Sequence, residues 1–282
     1  METRQWSIVT GGNRGLGFEV ARSLVARGRP IIIAVRDEAA GDRAAAELRA
    51  VAGARVEVLR LDASSGDSIA AFAAEVGARF PGQIDLLVNN AGIFIDSFDA
   101  PSHAATVATN TDGPVDVTLA LLPHLARGAR VVMVASALGQ LGALSPDYAD
   151  PIRAAVTLDE VKAAARRFDP GSPLLKINPL TPSYSVSKAA LIRAAQILAE
   201  APGFAAKGIT VVAVCPGWCR TDMSKAAEEK TGAQAPHTAQ QGAASILAAA
   251  LETGSIPNSS FSHDGALLDW TAKPALSVTG EG

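Results

Sequence analysis

The sequence predicts an α/β protein built on a doubly wound parallel sheet, and three observations predict it. Apolar runs of strand length alternate with helix-length amphipathic segments along most of the chain. The first run, Trp6–Thr10, opens directly into Gly11-Gly12-Asn13-Arg14-Gly15-Leu16-Gly17 and then into a helical pattern. The second, Pro30–Val35, is apolar without a break, as a strand covered on both faces requires.

Composition narrows the function classes. The 282 residues suffice for one large α/β domain or two small ones, and 48% hydrophobic residues supply a core. A net charge of −3 argues against nucleic acid as the main partner, because phosphate binding needs a basic face. Cys215 and Cys219 form neither a disulfide framework nor a zinc site, and His103, His124, His237 and His263 are scattered, so no metal is expected. No apolar run approaches the length that spans a bilayer, so no membrane partner is expected. A strand beginning at Trp6 leaves no room for a signal peptide, and the expected location is the cytoplasm.

The elements follow in order. The strand Trp6–Thr10 is followed by a helix carrying Phe18, Ala21, Leu24 and Val25 on one face. A glycine-rich turn between strand and helix lets backbone approach a pyrophosphate, which then sits on the helix N-terminus, as in a Rossmann fold; a turn that is merely tight is the plainer alternative. It is no Walker loop, since no Gly-Lys-Ser/Thr closes it. Pro30–Val35 ends in Arg36-Asp37: the arginine suits a 2′-phosphate, the acid would suit ribose hydroxyls, and Arg14 adds a second cation. Then come a helix over Ala39–Val51, a strand over Val56–Leu61 and a helix over Ser64–Phe80. A strand at Leu86–Asn89, mostly helix over Ala104–Leu125 and a strand at Arg130–Ala135 continue the rhythm. Gly66-Asp67-Ser68 stands at a helix start, where such residues serve as caps rather than nucleophiles.

The stretch Thr181-Pro182-Ser183-Tyr184-Ser185-Val186-Ser187-Lys188 opens a run of strong helix formers. Tyr184 and Lys188, at i and i+4, share a helix face, and an ammonium beside a phenol favours phenolate and lowers the acid's pKa. Thr210–Val214 reads as a strand, Trp218–His237 has no clean period, Thr238–Leu251 is helical, Ser260–His263 is a last strand and Ala275–Gly282 a loose tail.

Taken together, these motifs resemble the short-chain dehydrogenase/reductase family over about nine-tenths of the chain. The resemblance rests on Thr10-Gly11 with Gly15 and Gly17, Asp62 after the third strand, and Asn89-Asn90-Ala91-Gly92 after the fourth. It rests equally on Asn110, Ser136, Tyr184 with Lys188, and Pro216-Gly217. In most of that family about a dozen residues separate the serine from the tyrosine; here Ala137–Ser183 intervene. Within this insertion (138–182), Thr157-Leu158-Asp159-Glu160 is a capping-box pattern, and Leu158, Val161, Ala165 and Phe168 form an apolar stripe, so a folded flank is expected. The insertion and Cys215-Pro216-Gly217-Trp218-Cys219-Arg220-Thr221-Asp222-Met223 resemble the carbonyl reductase branch, whose members are often monomeric.

The resemblance implies a single Rossmann-type domain over 1–282 that uses NADPH/NADP+ to reduce the carbonyl of a small molecule: a ketone, aldehyde or quinone. It implies that Tyr184 donates the proton and Ser136 orients the carbonyl. Lys188 would favour phenolate and hold the nicotinamide ribose, and Asn110 would hold a water linking Lys188 to solvent. Cofactor contacts are expected from Gly11, Asn13, Arg14, Gly15, Leu16, Gly17, Arg36, Asp62, Asn90, Ala91, Gly92, Tyr184, Lys188, Pro216, Gly217 and Thr221. Trp218 would wall the substrate pocket with Ser136 and Tyr184, or serve as plain core. Cys215 is either a buried inert thiol or an adduct site near the cleft. Two further readings stay open: an NAD-linked dehydrogenase working toward oxidation, which Asp37 permits, and a regulatory protein that binds NADPH without turnover.

Overall fold

The computed structural model describes residues 5–178, 180–252 and 254–274; the expected tail Ala275–Gly282 lies outside them. The chain runs β1 (Trp6–Thr10), α1 (Gly15–Ala26), β2 (Ile31–Val35), α2 (Glu38–Arg49), β3 (Val56–Arg60), α3 (Gly66–Arg79) and β4 (Ile84–Asn89). Next, α4 (Ala100–Val107) and α5 (Gly113–Leu121) flank a π-turn at Ala108–Asp112 and lead to β5 (Leu125–Val134). The segment between β5 and α9 (Pro182–Glu200) holds α6 (Pro146–Ala154), α7 (Leu158–Arg166) and α8 (Leu174–Ile177). After α9 come α10 (Pro202–Lys207), β6 (Thr210–Val214), β7 (Cys219–Arg220), α11 (Lys225–Thr231), β8 (His237–Thr238), α12 (Ala239–Leu251), β9 (Phe261–His263) and β10 (Ala266–Leu267).

The main sheet has the order β10-β9-β6-β5-β4-β1-β2-β3 and is parallel except for β10, while β7 and β8 pair separately. The chain winds outward from β1 through β2 and β3, then returns to place β4 on the other side of β1. Where winding reverses, the loops after β1 and β4 diverge and leave a crevice at the carboxyl ends of the strands. Alternation of side chains explains the unbroken apolar strands. Ile8, Ile32, Leu87, Val131 and Val211 join one core with residues of α3, α5 and α9. Their neighbours Val9, Ile33, Val88, Val132 and Val212 join a second with residues of α1, α2 and α12.

The segment between β5 and α9 builds a third core. Leu141, Leu144, Tyr148, Ile152, Val161, Ala165 and Leu174 pack with Val186, Ala190 and Ala194 of α9 and with Val107 and Val115 of the α4–α5 region. Both halves of the predicted capping box form: Thr157 Oγ1 accepts from Glu160 N at 3.2 Å, and Glu160 Oε2 accepts from Thr157 N at 3.0 Å.

Several boundaries differ from expectation for local reasons. The helix expected from Ala104 begins at Ala100, because the Asp99 carboxylate caps it by accepting from Ser102 N at 2.8 Å. At α3 the cap is Ser65, whose hydroxyl accepts from Ser68 N at 3.3 Å. The aperiodic Trp218–His237 region contains β7, α11 and β8, elements too short to display a period.

Candidate active site

The crevice is stitched shut at its base. The Thr10 hydroxyl at the end of β1 accepts from Asn90 N at 3.0 Å and Ala91 N at 2.9 Å, and Asn90 Nδ2 donates to Thr10 O at 2.9 Å. Directly above, Gly11 holds φ +65°, a left-handed conformation that favours glycine. A Cβ on Gly17 would lie 2.3 Å from Gly11 O, so the first turn of α1 closes on the loop only without a side chain. The amides at the start of α1 carry no side-chain cap from Arg14. The cradle therefore fits a dinucleotide pyrophosphate. Asn13 and Leu16 are partly buried within it, and Thr221 packs beside Gly15.

Charges at its outer end are positive. Arg36 follows β2 and is exposed, and Arg14 is exposed and pairs with Asp222 at 3.5 Å. The carboxylate of Asp37 caps α2, accepting from Ala40 N at 3.1 Å through Oδ1, so a structural role accounts for this acid. Hydrogen bonds from the Ser64 hydroxyl and amide hold the Asp62 carboxyl below its ordinary value, and Arg36 and Arg60 add to the effect. Arg60, at the end of β3, was not foreseen from the sequence; its register opposite Val35 places it beside Arg36.

At the other end of the crevice, Ser136, Tyr184 and Lys188 come together. The Ser136 side chain, just past β5, accepts from Leu138 N at 3.2 Å and stands near enough to the Tyr184 phenol to oppose part of the rise that burial causes. Lys188 Nζ donates to Val134 O at 2.8 Å and lies 5.5 Å from the centre of the Tyr184 ring. A Cβ on Gly92 would sit 3.2 Å from Asn110 Oδ1 and 3.6 Å from Lys188 Nζ, which places Asn110 beside the lysine. Asn110 occupies the π-turn, a geometry that recurs at functional sites. Its amide is committed: Oδ1 accepts from Ile93 N at 2.8 Å, while Nδ2 donates to Ile93 O at 2.9 Å and to Ser187 Oγ at 3.2 Å. The side chain thus clasps the Gly92–Ile93 loop, and a water link would fall to the main chain of the π-turn.

The electrostatics reverse one expectation. Tyr184 as a residue is only partly buried, but desolvation dominates its phenol and pushes it above its ordinary value, reinforced by Cys215 and opposed by Ser136. Burial likewise pushes the Lys188 ammonium down to about 8. In this chain the enclosure of both groups outweighs the attraction expected from the sequence.

Pro216 and Gly217 follow β6 at the same end of the sheet, and Trp218 is partly buried in the turn into β7, its carbonyl accepting from His237 N at 3.2 Å. The ring that meets Tyr184 is Phe94, edge-on at 5.8 Å. The apolar run Ile93-Phe94-Ile95, in a loop leaving the carboxyl end of a central strand, was its sequence signal. Cys215 is buried, and the His263 side chain hydrogen-bonds it, which raises the imidazole to about 9.

A nucleotide cradle at the switch point with a tyrosine–lysine pair beside it is the arrangement of a dinucleotide-dependent oxidoreductase. The family model for short chain dehydrogenase matches residues 5–149, and that for Enoyl-(Acyl carrier protein) reductase matches 174–251. Short-chain dehydrogenase anuI of Penicillium roqueforti is 31% identical over 260 residues, covering 89% of this chain and 90% of its own. Carbonyl reductase [NADPH] 1 of Oryctolagus cuniculus is 33% identical over 252 residues, covering 83% of this chain and 89% of its own. Salutaridine reductase from Papaver somniferum superposes with a TM-score of 0.78 over 92% of this chain and 99% of its own; at 24% identity it speaks for the fold. The chain belongs to the short-chain dehydrogenase/reductase family.

Proposed function

We propose that the protein is an NADPH-dependent carbonyl reductase acting on a ketone, aldehyde or quinone, with Tyr184 as the general acid. The carrying observation is the meeting of Ser136, Tyr184 and Lys188 beside a glycine cradle that fits a phosphate held by backbone amides. The similarity to carbonyl reductase [NADPH] 1 of Oryctolagus cuniculus supports the cofactor.

Gly11, Asn13, Gly15, Leu16 and Gly17 would hold the pyrophosphate, Arg14 and Arg36 the 2′-phosphate, and Asp62 the adenine end. Asn90, Ala91, Gly92, Tyr184, Lys188, Pro216, Gly217 and Thr221 would hold the nicotinamide end. When bound, NADPH supplies the hydride. Ser136 orients the carbonyl oxygen, and Tyr184 gives it a proton as negative charge grows there. A phenol raised by burial is protonated at neutral pH, which is the form a reduction uses. Oxidation would need the phenolate as base, and the same burial opposes it. Lys188, at about 8, is mostly ammonium at neutral pH and stands ready to stabilise the phenolate left after transfer. Phe94 and Trp218 would wall the substrate.

We also propose a monomer. Family oligomers usually pack the helices before β5 and the tyrosine helix against a neighbour. Here α7 covers those faces, with Val161 and Ala165 buried and with Arg166–Asp112 at 2.9 Å and Lys162–Asp116 as ion pairs. Two free thiols, Cys215 and Cys219, suit a reducing compartment, and we place the protein in the cytoplasm. Following NADPH absorbance over a panel of ketones, aldehydes and quinones tests the main reading: turnover supports it, and a panel with none contradicts it.

A further inference from the structure

We infer that His103 is a positioning residue for Tyr184, holding the first turn of α9 through Ser183 and so fixing where the phenol points. The inference rests on the reading of Tyr184 as the acid. His103 belongs to α4, is 1% exposed and takes no part in the mechanism above. Its Nε2 lies 2.8 Å from Ala165 O in α7, and its Nδ1 lies 3.1 Å from Ser183 Oγ. A carbonyl only accepts, so Nε2 carries the hydrogen, and Nδ1 is left to accept from the Ser183 hydroxyl. Burial pushes the imidazole below its ordinary value, so this neutral tautomer persists at neutral pH. One ring thereby joins α4, the inserted α7 and the residue immediately before the acid.

The first turn of α9 needs such a tie. Thr181, its N-cap, makes no side-chain cap hydrogen bond. Three buried serines around Tyr184 anchor the turn instead, each to different partners. Ser185 Oγ accepts from Asn178 Nδ2 at 2.7 Å and lies 3.1 Å from Thr181 Oγ1. Ser187 Oγ donates to Tyr184 O at 2.7 Å and accepts from Asn110 Nδ2. Ser183 alone of the three reaches α4 and, through His103, α7. Around the imidazole stand Phe168 at 5.7 Å, Phe98 at 6.0 Å and Tyr148 at 6.4 Å, so the ring has no room to swing. Phe98 shares its loop with Phe94, which touches Tyr184, so the same junction supports the acid from a second side.

His103→Phe keeps an aromatic ring of similar size and removes both hydrogen bonds. In folded protein it should leave NADPH affinity within about twofold and lower kcat about ten- to a hundredfold, as misplacement near 1 Å does. The solvent deuterium isotope effect on kcat should rise, because transfer from a displaced acid becomes slower. Ser183→Ala should act in the same direction, and the double variant should be no worse than the worse single one, since both break one link. An independent readout needs no turnover. The chain has only two tyrosines, Tyr148 and Tyr184, so the Cζ resonance of ¹³C-labelled Tyr184 is assigned by Tyr184→Phe and should move in His103→Phe. Unchanged kcat, isotope effect and Tyr184 resonance overturn the inference. So does a fall in kcat that only matches a lost NADPH-binding fraction while the resonance stays put. If His103→Phe does not fold, the same criteria apply to Ser183→Ala. Absence of carbonyl turnover in the unmodified protein defeats the acid reading alone, and the Tyr184 resonance still decides the positioning.

Discussion

The glycine loop and the first turn of α9 both present groups to one crevice, but they are held by different means. The loop is fixed by backbone. Gly17 closes on the Gly11 carbonyl with no side chain between them, a local contact that the glycine spacing records, and Asn90 adds one distant tie through Thr10. The turn of α9 is fixed by side chains from far along the chain: Ser183 reaches His103, 80 residues back, and Asn110 reaches Ser187 across 77. A constraint made by adjacent residues leaves a motif in the sequence. One made by distant partners leaves isolated serines and a histidine, which look like any others.

The contrast should break first at Gly17. Gly17→Ala places a methyl 2.3 Å from a backbone oxygen that cannot yield cheaply, so NADPH binding should fall at least about a hundredfold. Fluorescence titration checks this, and near-normal binding would mean the loop is not held as described. Arg14→Ala with Arg36→Ala tests the outer end of the same cradle. Each charge-assisted contact is worth about 1.5–3 kcal/mol, so losing the pair should cost at least about a hundredfold in NADPH affinity with NADH little changed. Equal use of both cofactors by the unmodified protein would refute the preference.

Effects in the side-chain-held region should be graded. Arg166→Gln removes the partner of Asp112, a carboxylate raised by burial with Arg166 opposing the shift. A loss of about 1–3 kcal/mol is expected, discounted because Arg166 is more than half exposed, and it should show as a lower melting temperature. The same variant should leave sedimentation monomeric; a dimer appearing on loss of α7 contacts would locate the covered surface.

The pH dependence of stability separates two further groups. His263 is raised from 6.5 to about 9, first by its hydrogen bond with Cys215. Across that window the folded chain keeps a proton that the unfolded chain gives up, so this contribution falls as pH rises. Lys188, lowered from 10.5 to about 8 by burial, works oppositely: its contribution rises between those values. His263→Gln should flatten the fall between pH 6.5 and 9 in denaturant midpoints, and a slope unchanged by the substitution would contradict the assignment. Smallest of all should be Gly66→Ala, at the start of α3 with open space around a Cβ: within about 1 kcal/mol of neutral, by the same measurement.

The same contrast explains what was legible. The strands to β6 and most of the helices between them, the glycine cradle and the Tyr184–Lys188 pair follow from apolar periods and short motifs, as does the capping box that starts α7. Ser136 came with the family resemblance, and α6, α8 and α10 were not foreseen. The dependence of Asp37 on Ala40 was hidden because a cap and a ribose ligand call for the same carboxylate. The raised phenol was hidden because burial depends on how α9, β5 and β6 pack, whereas the Tyr184–Lys188 spacing shows only the neighbouring charge. Phe94 and Arg60 become visible once strand register puts them beside residues already suspected.

Tyr184→Phe tests the central claim most directly. The ring still packs against Phe94 and only the proton donor is lost, so fold and NADPH affinity should stay as in the unmodified protein. Turnover of an accepted carbonyl substrate should fall about 10²–10⁴-fold, carried by kcat. A variant that binds NADPH normally and still reduces that substrate at near the original rate would contradict the account.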